Sequence, residues 1–486
     1  MSFSPRLRLA ATTLALGAAL AGCVTVGPDY MQPNAATSAD WYNRQAGITR
    51  TAPDAATLSE WWHQFGDGTL DALIQQAFAA NLDIASAQAR LRQARAQRGV
   101  QAAQDWPTLD ASASGRRSGS RTDNVSTVGN QYSAGFDASW EVDLFGGRRR
   151  ALESADASVE AAQADIDNVR VSLAAEVATN YISLRGYEAS LASTRASLAT
   201  REETYQLTNW RGQAGIASAL DVRQAQSNVE QTRASIPAIE RSIEDSKIAL
   251  AVLLARPRAE LDALLATTGV IPQTWNALAV GIPADTLRQR PDVRAAERRL
   301  AAQTAQIGVA EAARYPSFTL GGSIGVAALT PAGLFSADTI TSSILGSLVG
   351  NVFDGGRARQ NVEIQNAAQE QTLATYQATL NQAVADVESA LNAYVKTSER
   401  LTSLVVAVDA AREASQLAQI QYTAGATDLL TVLDAQRTEL SLDDQLALAQ
   451  TNRANTVVQL YKAMGGGWQT ARSTNEAMNQ SGAGSQ

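Results

Sequence analysis

The side chains able to do chemistry are sparse. In 486 residues there is one cysteine, Cys23, and one histidine, His63. No set of His, Cys, Asp and Glu carries metal-ligand spacing, no phosphate-binding loop occurs, and Gly146-Gly147 is too short for a dinucleotide fingerprint. That inventory argues against an enzyme, so no catalytic residue, metal or cofactor is expected. His63 stands beside Trp61 and Trp62 and reads as a packing or surface residue rather than a ligand. A lone cysteine has no intramolecular disulfide partner, so any chemistry it has must come from its position.

That position is informative. Arg6 and Arg8 precede an apolar run, Leu9 to Leu20, too short for the ~20 residues of a membrane helix, so residues 1–22 read as a secretory leader. Leu20, Ala21, Gly22 and Cys23 follow in the pattern of a bacterial lipoprotein cleavage site. The resemblance implies cleavage before Cys23 and acylation of its thiol and new amino terminus. The alternative is an ordinary leader with a chance cysteine. Val24, not Asp, comes next, so the implied address is the outer membrane, where more than one acyl chain makes a stable anchor. With 40 basic and 48 acidic residues and no basic cluster interleaved with aromatics, nucleic acid is not an expected partner.

The elements that position these groups occur twice. Asp83, Arg90, Leu91, Gln97, Gly99, Val100, Ala103 and Pro107 recur 209 residues later as Asp292, Arg299, Leu300, Gln306, Gly308, Val309, Ala312 and Pro316. Gly146, Gly147 and Arg148 recur at the same offset as Gly355, Gly356 and Arg357. A third block, Ala214, Gly215, Leu220, Val222, Ala225 and Gln226, recurs at 210 as Ala424, Gly425, Leu430, Val432, Ala435 and Gln436. Three ordered blocks at nearly one spacing establish a tandem duplication.

Each copy predicts two strands and a very long helix. Tyr132, Ala134, Phe136, Ala138, Trp140, Val142 and Leu144 alternate with polar residues, giving one greasy and one wet face. Strands are expected at about 106–116, 131–145, 315–327 and 339–353, with polar loops around 117–130 and 330–338; the fourth alternates poorly. Such hairpins suit transmembrane barrel strands, and a soluble sandwich hairpin is the competing reading. Four strands fall short of the about eight that close a membrane barrel, and open edges are forbidden in hydrocarbon, so membrane strands here require several chains to share one barrel.

From Arg357 to Ala424 there is no Pro or Gly, and Leu373, Leu380, Val387, Tyr394, Leu401 and Val408 recur every seventh residue. In the first copy Leu152, Val159, Ile166 and Leu173 hold one heptad phase and Val177, Leu184, Leu191, Leu198 and Tyr205 another, a four-residue stutter. Helices of about 65 residues reach roughly 100 Å. Partner helices return through 222–254 and 432–464, the first carrying Pro237 as a kink, and shorter helices at 70–104 and 285–313 stack end to end with them. The domains follow: collar 23–67, first repeat 68–255, linker 256–283, second repeat 284–464 and tail 465–486.

Taken in order, the cleavage motif, Gly27-Pro28-Asp29-Tyr30 with Pro33, Trp61, Trp62 and Phe65, the Leu-Phe-Gly-Gly-Arg and Phe-Asp-Gly-Gly-Arg strand exits and the two turn motifs resemble the TolC-like outer membrane efflux proteins, lipoprotein OprM/NodT branch. The resemblance covers nearly the whole chain. It implies a mainly α fold with membrane β: a homotrimer with a 12-stranded barrel (four strands per chain), a periplasmic helical barrel, and as partners outer-membrane lipid, a membrane-fusion adaptor and an inner-membrane RND, MFS or ABC transporter. It also implies a periplasmic gate at the second-copy turn, with Leu430 as a hydrophobic ring, Asp434 as an acidic ring and Tyr422 beside them. Three leucines on an axis form a dewetting constriction and three carboxylates a cation-attracting collar, whereas the plain alternative is a packed leucine and a solvated aspartate. Arg211, Gly212, Gly215, Gly425 and Thr427 would form the tips that meet the adaptor; Gly215 suits a simple helix cap equally well. Thr431 and Thr427 depart from the Asp and Arg of some relatives, which puts those relatives' closing salt bridges in doubt here. A type I protein-secretion duct and a non-conducting envelope spacer remain as alternatives.

Overall fold

The computed structural model describes residues 25–33, 41, 48–49, 55–122, 125–266, 269–273, 278–279 and 287–468; the leader, Cys23 and the tail beyond Trp468 lie outside them. The duplication sets the element order. Ahead of the first copy come β1 (Ile48–Thr49), α1 (Ala55–Ser59) and a 3₁₀ turn at Trp61–Phe65. The first copy runs α2 (Gly68–Ala80), α3 (Leu82–Ala103), β2 (Thr108–Thr122), β3 (Val125–Val142), α4 (Gly147–Gln213) and α5 (Ala219–Leu253). After α6 (Leu261–Leu265) and β4 (Leu278–Ala279), which pairs in parallel with β1, the second copy runs α7 (Pro291–Ala312), β5 (Ser317–Ala328), β6 (Ile340–Val349), α8 (Arg357–Thr423) and α9 (Leu429–Ala463). The long helices α4 and α8 have 67 residues each and their partners α5 and α9 have 35 each, so the helical hairpin was copied without change of length.

Contacts gather the chain into two compact units that cut across the copies. One holds Ala89–Gln163 and Ala295–Ala378 with the N-terminal residues through Asn34; the other holds Ala35–Gln88, Ala164–Arg294 and Thr379 onward. The first unit centres on an antiparallel sheet of order β2-β3-β5-β6. Its register puts Leu109 opposite Ala138, Ala111 opposite Phe136, Phe136 opposite Ile324 and Trp140 opposite Leu320, so one face is apolar across all four strands. On the other face Ser112 donates to Asp137 (3.1 Å), and hydroxyl pairs join Ser114 to Ser133 and Ser323 to Ser343. The apolar face is exposed within the chain, with Phe136, Ile324 and Ile344 open, and β2 and β6 each have a free edge. In β6, Ile340, Ile344 and Leu348 share the apolar face with Ser342 and Gly346, while Leu345 and Val349 fall on the polar one, which blurs its alternation.

Of the segment 117–130, read from sequence as a loop, residues 117–122 and 125–130 are strand instead: β2 and β3 pair continuously from Thr108–Ser139 to Thr122–Val125. Its sequence is mostly Ser, Gly, Thr and Arg, and its two valines, Val125 and Val128, stand at an odd spacing, so the two-residue period carries no hydrophobic signal there. In the second copy the connection is irregular, with 3₁₀ turns at Pro331–Phe335 and Ala337–Thr339. Below the strands, residues 25–32 are strapped to this unit. Gly27 takes a positive φ of 89° and lies so close to Gly308 that a Cβ would sit 2.4 Å from the Gly308 Cα. Arg150, nearly buried, donates to the carbonyls of Val26 and Gly27 and to Asp29 (2.7 Å), and Tyr30 donates to Glu297.

The second unit holds the main core, where Trp61, Leu70, Ile74, Val177, Ile182, Leu250, Val458 and Tyr461 are all buried. Leu173 and Val177, where one heptad phase hands over to the next, are both inside it. The expected single helix at 70–104 is divided at Asn81, whose side chain caps α3 by accepting from the amides of Asp83 and Ile84. A local cap outcompetes helix continuation there. The expected helix at 285–313 likewise starts its main body at Pro291, a favoured first helical residue. Pro237 lies inside α5, which remains one element.

One buried acid has no role in capping. Asp167 on α4 is 5% exposed, and desolvation lifts its pKa from the ordinary 3.8 to about 6, with Arg294 and Arg170 opposing. The folded state therefore holds the proton more tightly than the unfolded chain, so stability falls as pH rises from 3.8 to about 6 and stays reduced above. Asp167→Asn is expected to raise stability at pH 7 by on the order of 2 kcal/mol and to change nothing at pH 3.5. Thermal melts of wild type and variant at both pH values check this.

Candidate functional site

The two helix tips lie in the second unit. At the first, α4 closes with Gly215 in the left-handed region (φ 72°), and the amide of Ile216 donates back to the Arg211 carbonyl at 2.8 Å. Ser218 and Asp221 then form a reciprocal capping box that starts α5. The second tip repeats the turn: Gly425 has φ 75° and the Ala426 amide donates to Gln421 O at 2.8 Å. Here the cap is Asp428, which accepts from the Thr431 amide (2.9 Å) and hydroxyl (2.6 Å), so its pKa is lowered by those bonds. Thr431 thus serves the cap that starts α9.

Behind the second turn, Leu429, Val432 and Leu433 pack with Tyr422, Ala418 and Ala225 in a small buried cluster. Leu430 and Asp434, one helical turn apart on the other face, are exposed. The Asp434 carboxylate pairs with Arg437, at 3.2 Å, and both are largely in solvent, so that pair contributes little. Tyr422 differs from its two companions: it is 4% exposed, shares a hydrogen bond with the Thr208 hydroxyl (3.0 Å) and lies 4.5 Å beneath the Arg211 guanidinium. Arg211 also donates to Thr423 O at 2.9 Å, so Arg211 and Tyr422 tie the first tip to the second. Gly212 lies in the last turn of α4, and Gly215, Gly425 and Thr427 lie in the two turns, with Gly215 and Gly425 exposed. The first tip also exposes Leu220, the counterpart of Leu430 in the duplication, with Trp210 and Ile216, two apolar side chains that the sequence did not single out.

Above the tips the packing turns polar. Arg201, 6% exposed, donates to Thr232 Oγ1 (2.5 Å) and Gln436 O (3.2 Å), and Gln436 donates to Thr204, with no carboxylate in the set. Desolvation lowers the Arg201 pKa. Nothing in the sequence signalled this layer, because an arginine among helical polar residues looks like a solvated face. His63 sits between Asp71 (2.9 Å) and Glu60 (3.5 Å), away from the tips and beside the buried Trp61 and Trp62. Among the described residues no group of three or more His, Cys, Asp or Glu could hold a metal ion, and no helix is long and apolar enough to cross a membrane.

Duplicated helical hairpins joined to amphipathic strands with open edges have known counterparts. The family model described as outer membrane efflux protein matches residues 73–256 and again 282–466, once per copy. The chain belongs to the outer membrane efflux proteins. It is 34% identical over 465 residues to the pyoverdine export outer membrane protein OpmQ of Pseudomonas putida, covering 94% of this chain and 97% of that one. Nodulation protein T of Rhizobium leguminosarum bv. viciae is 35% identical, over 95% of this chain and 94% of its own. Among solved structures, the outer-membrane channel OprN superposes with a TM-score of 0.86 at 36% identity, covering 92% of this chain and all of that one. The open state of the Neisseria gonorrhoeae MtrE channel gives 0.82 at 30% identity over 92% and 99%. The fold is that of a TolC-type trimeric channel, in which each chain supplies four strands to a 12-stranded barrel.

Proposed function

We propose that the chain is the outer-membrane exit duct of a tripartite efflux pump, passively conducting small molecules delivered by a periplasmic adaptor and an inner-membrane transporter of the RND, MFS or ABC type. The observation that carries this reading is a four-stranded sheet with an exposed apolar face and two open edges, in a chain whose duplicated hairpins end in matched tips. Lipid covers such a face and neighbouring chains close such edges. Relatives named for pyoverdine, toluene and solvent export support small molecules as cargo. The cargo itself is chosen upstream, by the pump. Reconstitution of the purified trimer in planar bilayers tests the duct directly: discrete conductance steps are expected, and their absence would sink the channel reading.

In this reading Leu430 and Asp434 form the periplasmic constriction, and Tyr422 with Arg211 and Thr208 holds its backbone in place. The tips, with Arg211, Gly212, Gly215, Gly425 and Thr427 at their turns, receive the adaptor. Cys23 carries the lipid anchor. One residue, Val24, and at most ~7 Å of chain separate it from Thr25, whose Cα would lie 2.8 Å from a Cβ on Gly146 at the exit of β3. That proximity would place the acyl chains at the membrane edge of the sheet. Cys23→Ala is expected to abolish incorporation of labelled fatty acid into the mature protein; retained label would refute acylation at Cys23.

A further inference from the structure

The end-to-end joint between a returning helix and a strand-feeding helix occurs twice, with different chemistry. In the first copy the Asn81 Nδ2 donates to the carbonyl of Leu253, the last residue of α5, at 2.9 Å. Arg290 stands 209 residues later and its Nη1 donates to the carbonyl of Ala463, the last residue of α9, at 2.8 Å. The same splice is thus made by a neutral amide in one copy and a guanidinium in the other. Asn81 shows that the splice needs no charge. Arg290, 7% exposed, bears a desolvation cost that Asn81 does not, and is matched by two carboxylates: Asp292 at the start of α7 (2.6 and 3.0 Å) and Asp386 on α8 (3.1 Å). In the first copy the residue at the 210 offset from Asp386 is Glu176, which is exposed. What the arginine adds to the joint is therefore a tie to α8, the helix that leads to the second tip.

We propose that Arg290 is a positioning residue for the gate: by joining the end of α9 to Asp386 it fixes the axial register of α8 against α9, and so the resting position of the turn between them. This role presupposes the constriction at Leu430 and Asp434 proposed above. From Asp386 to Thr423 α8 runs roughly 55 Å at ~1.5 Å per residue, and a helix is stiff along its axis, so register set at the joint reaches the tip. An ion pair made directly between α8 and α9, Arg412 with Asp443 (2.7 Å), has a half-exposed arginine and holds less firmly. A cavity of about 760 Å³, lined by Arg290, Asp292, Asp386, Asn455 and Lys462 among others, lies beside the joint and gives Asp386 room to move when the tie is released.

The first copy supplies the test. Arg290→Asn reproduces the Asn81 joint, keeping a donor for Ala463 O and a cap for α7 while releasing Asp386. In bilayer recordings its open probability is expected to rise several-fold over wild type, with trimer yield and thermal unfolding unchanged. Asp386→Glu, which keeps the pair, is expected to record as wild type. Should Arg290→Asn fail to assemble, Asp386→Asn neutralises the tie at a partly exposed position, leaves the Asp292 pair intact and is read by the same openings. Leu430→Ala with Asp434→Ala serves as the gate control. If that control leaks while the tie variants record as wild type, Arg290 is only a structural splice; if the control does not leak either, the gate assignment and the role built on it fall together.

Discussion

Leu430→Ala combined with Asp434→Ala is expected to raise the leak through the resting channel about tenfold, the equivalent of lowering the permeation barrier by ~1.4 kcal/mol. Both side chains face away from the tip cluster, whose members Leu429, Val432 and Leu433 are untouched by the change. Asp428 keeps its cap on α9 through Thr431, so the turn retains its shape. What disappears in a trimer is a ring of three leucines that excludes water and a ring of three carboxylates that favours cations. Arg437, left without Asp434, adds positive charge at the same level, so selectivity should move toward anions as conductance rises. Planar-bilayer conductance with asymmetric salt reads both effects; an unchanged current and reversal potential would remove Leu430 and Asp434 from the gate.

The architecture was legible in the sequence because duplication doubles every signal. Long helices show as heptads, and the stretch without Pro or Gly from Arg357 to Ala424 matches α8 to within a residue, while the heptads from Leu152 to Tyr205 lie wholly inside α4. Legibility failed where hydrophobic contrast vanished. The outer parts of β2 and β3 are mostly polar, with Val125 and Val128 out of phase with each other, and pairing there is decided by backbone hydrogen bonds that leave no periodicity. The break at Asn81 was hidden because the apolar period runs on through it, although Asn is a strong capping residue. Long-range polar contacts were equally invisible. Arg150 holding residues 26–29, Arg290 joining α9 to α8 and Arg201 in its hydroxyl layer read alike in sequence, as arginines on helix surfaces. Comparison of the copies offered one route to them: Arg290 against Asn81 is a charge gained at a position whose splice did not require it.

Trp61→Ala is expected to be the most destabilising single change in the helical unit. The indole is fully buried, stacked on Tyr461 at 5.6 Å and 7° and edge-on to Trp62 and Phe65 at 5.8 and 6.2 Å. It joins three separate stretches of chain: its own 3₁₀ turn, the last residues of α9, and the backbone at Gly466, whose Cβ position would lie 3.0 Å from the indole Cδ1. Truncation removes all three contacts and leaves a void among rigid aromatics that cannot collapse, at a cost of about 3–5 kcal/mol. Against a total stability of about 5–15 kcal/mol for a typical domain, that is a large share. Trp61→Phe separates volume from polarity. The Trp61 Nε1 is buried without a hydrogen-bond partner among the described residues, so phenylalanine loses some packing but also removes an unpaired donor, and the net loss should stay under about 1.5 kcal/mol. Thermal melts of the detergent-solubilised trimer check both. Equal losses for Ala and Phe would mean that the indole nitrogen, not the ring stack, holds the collar together.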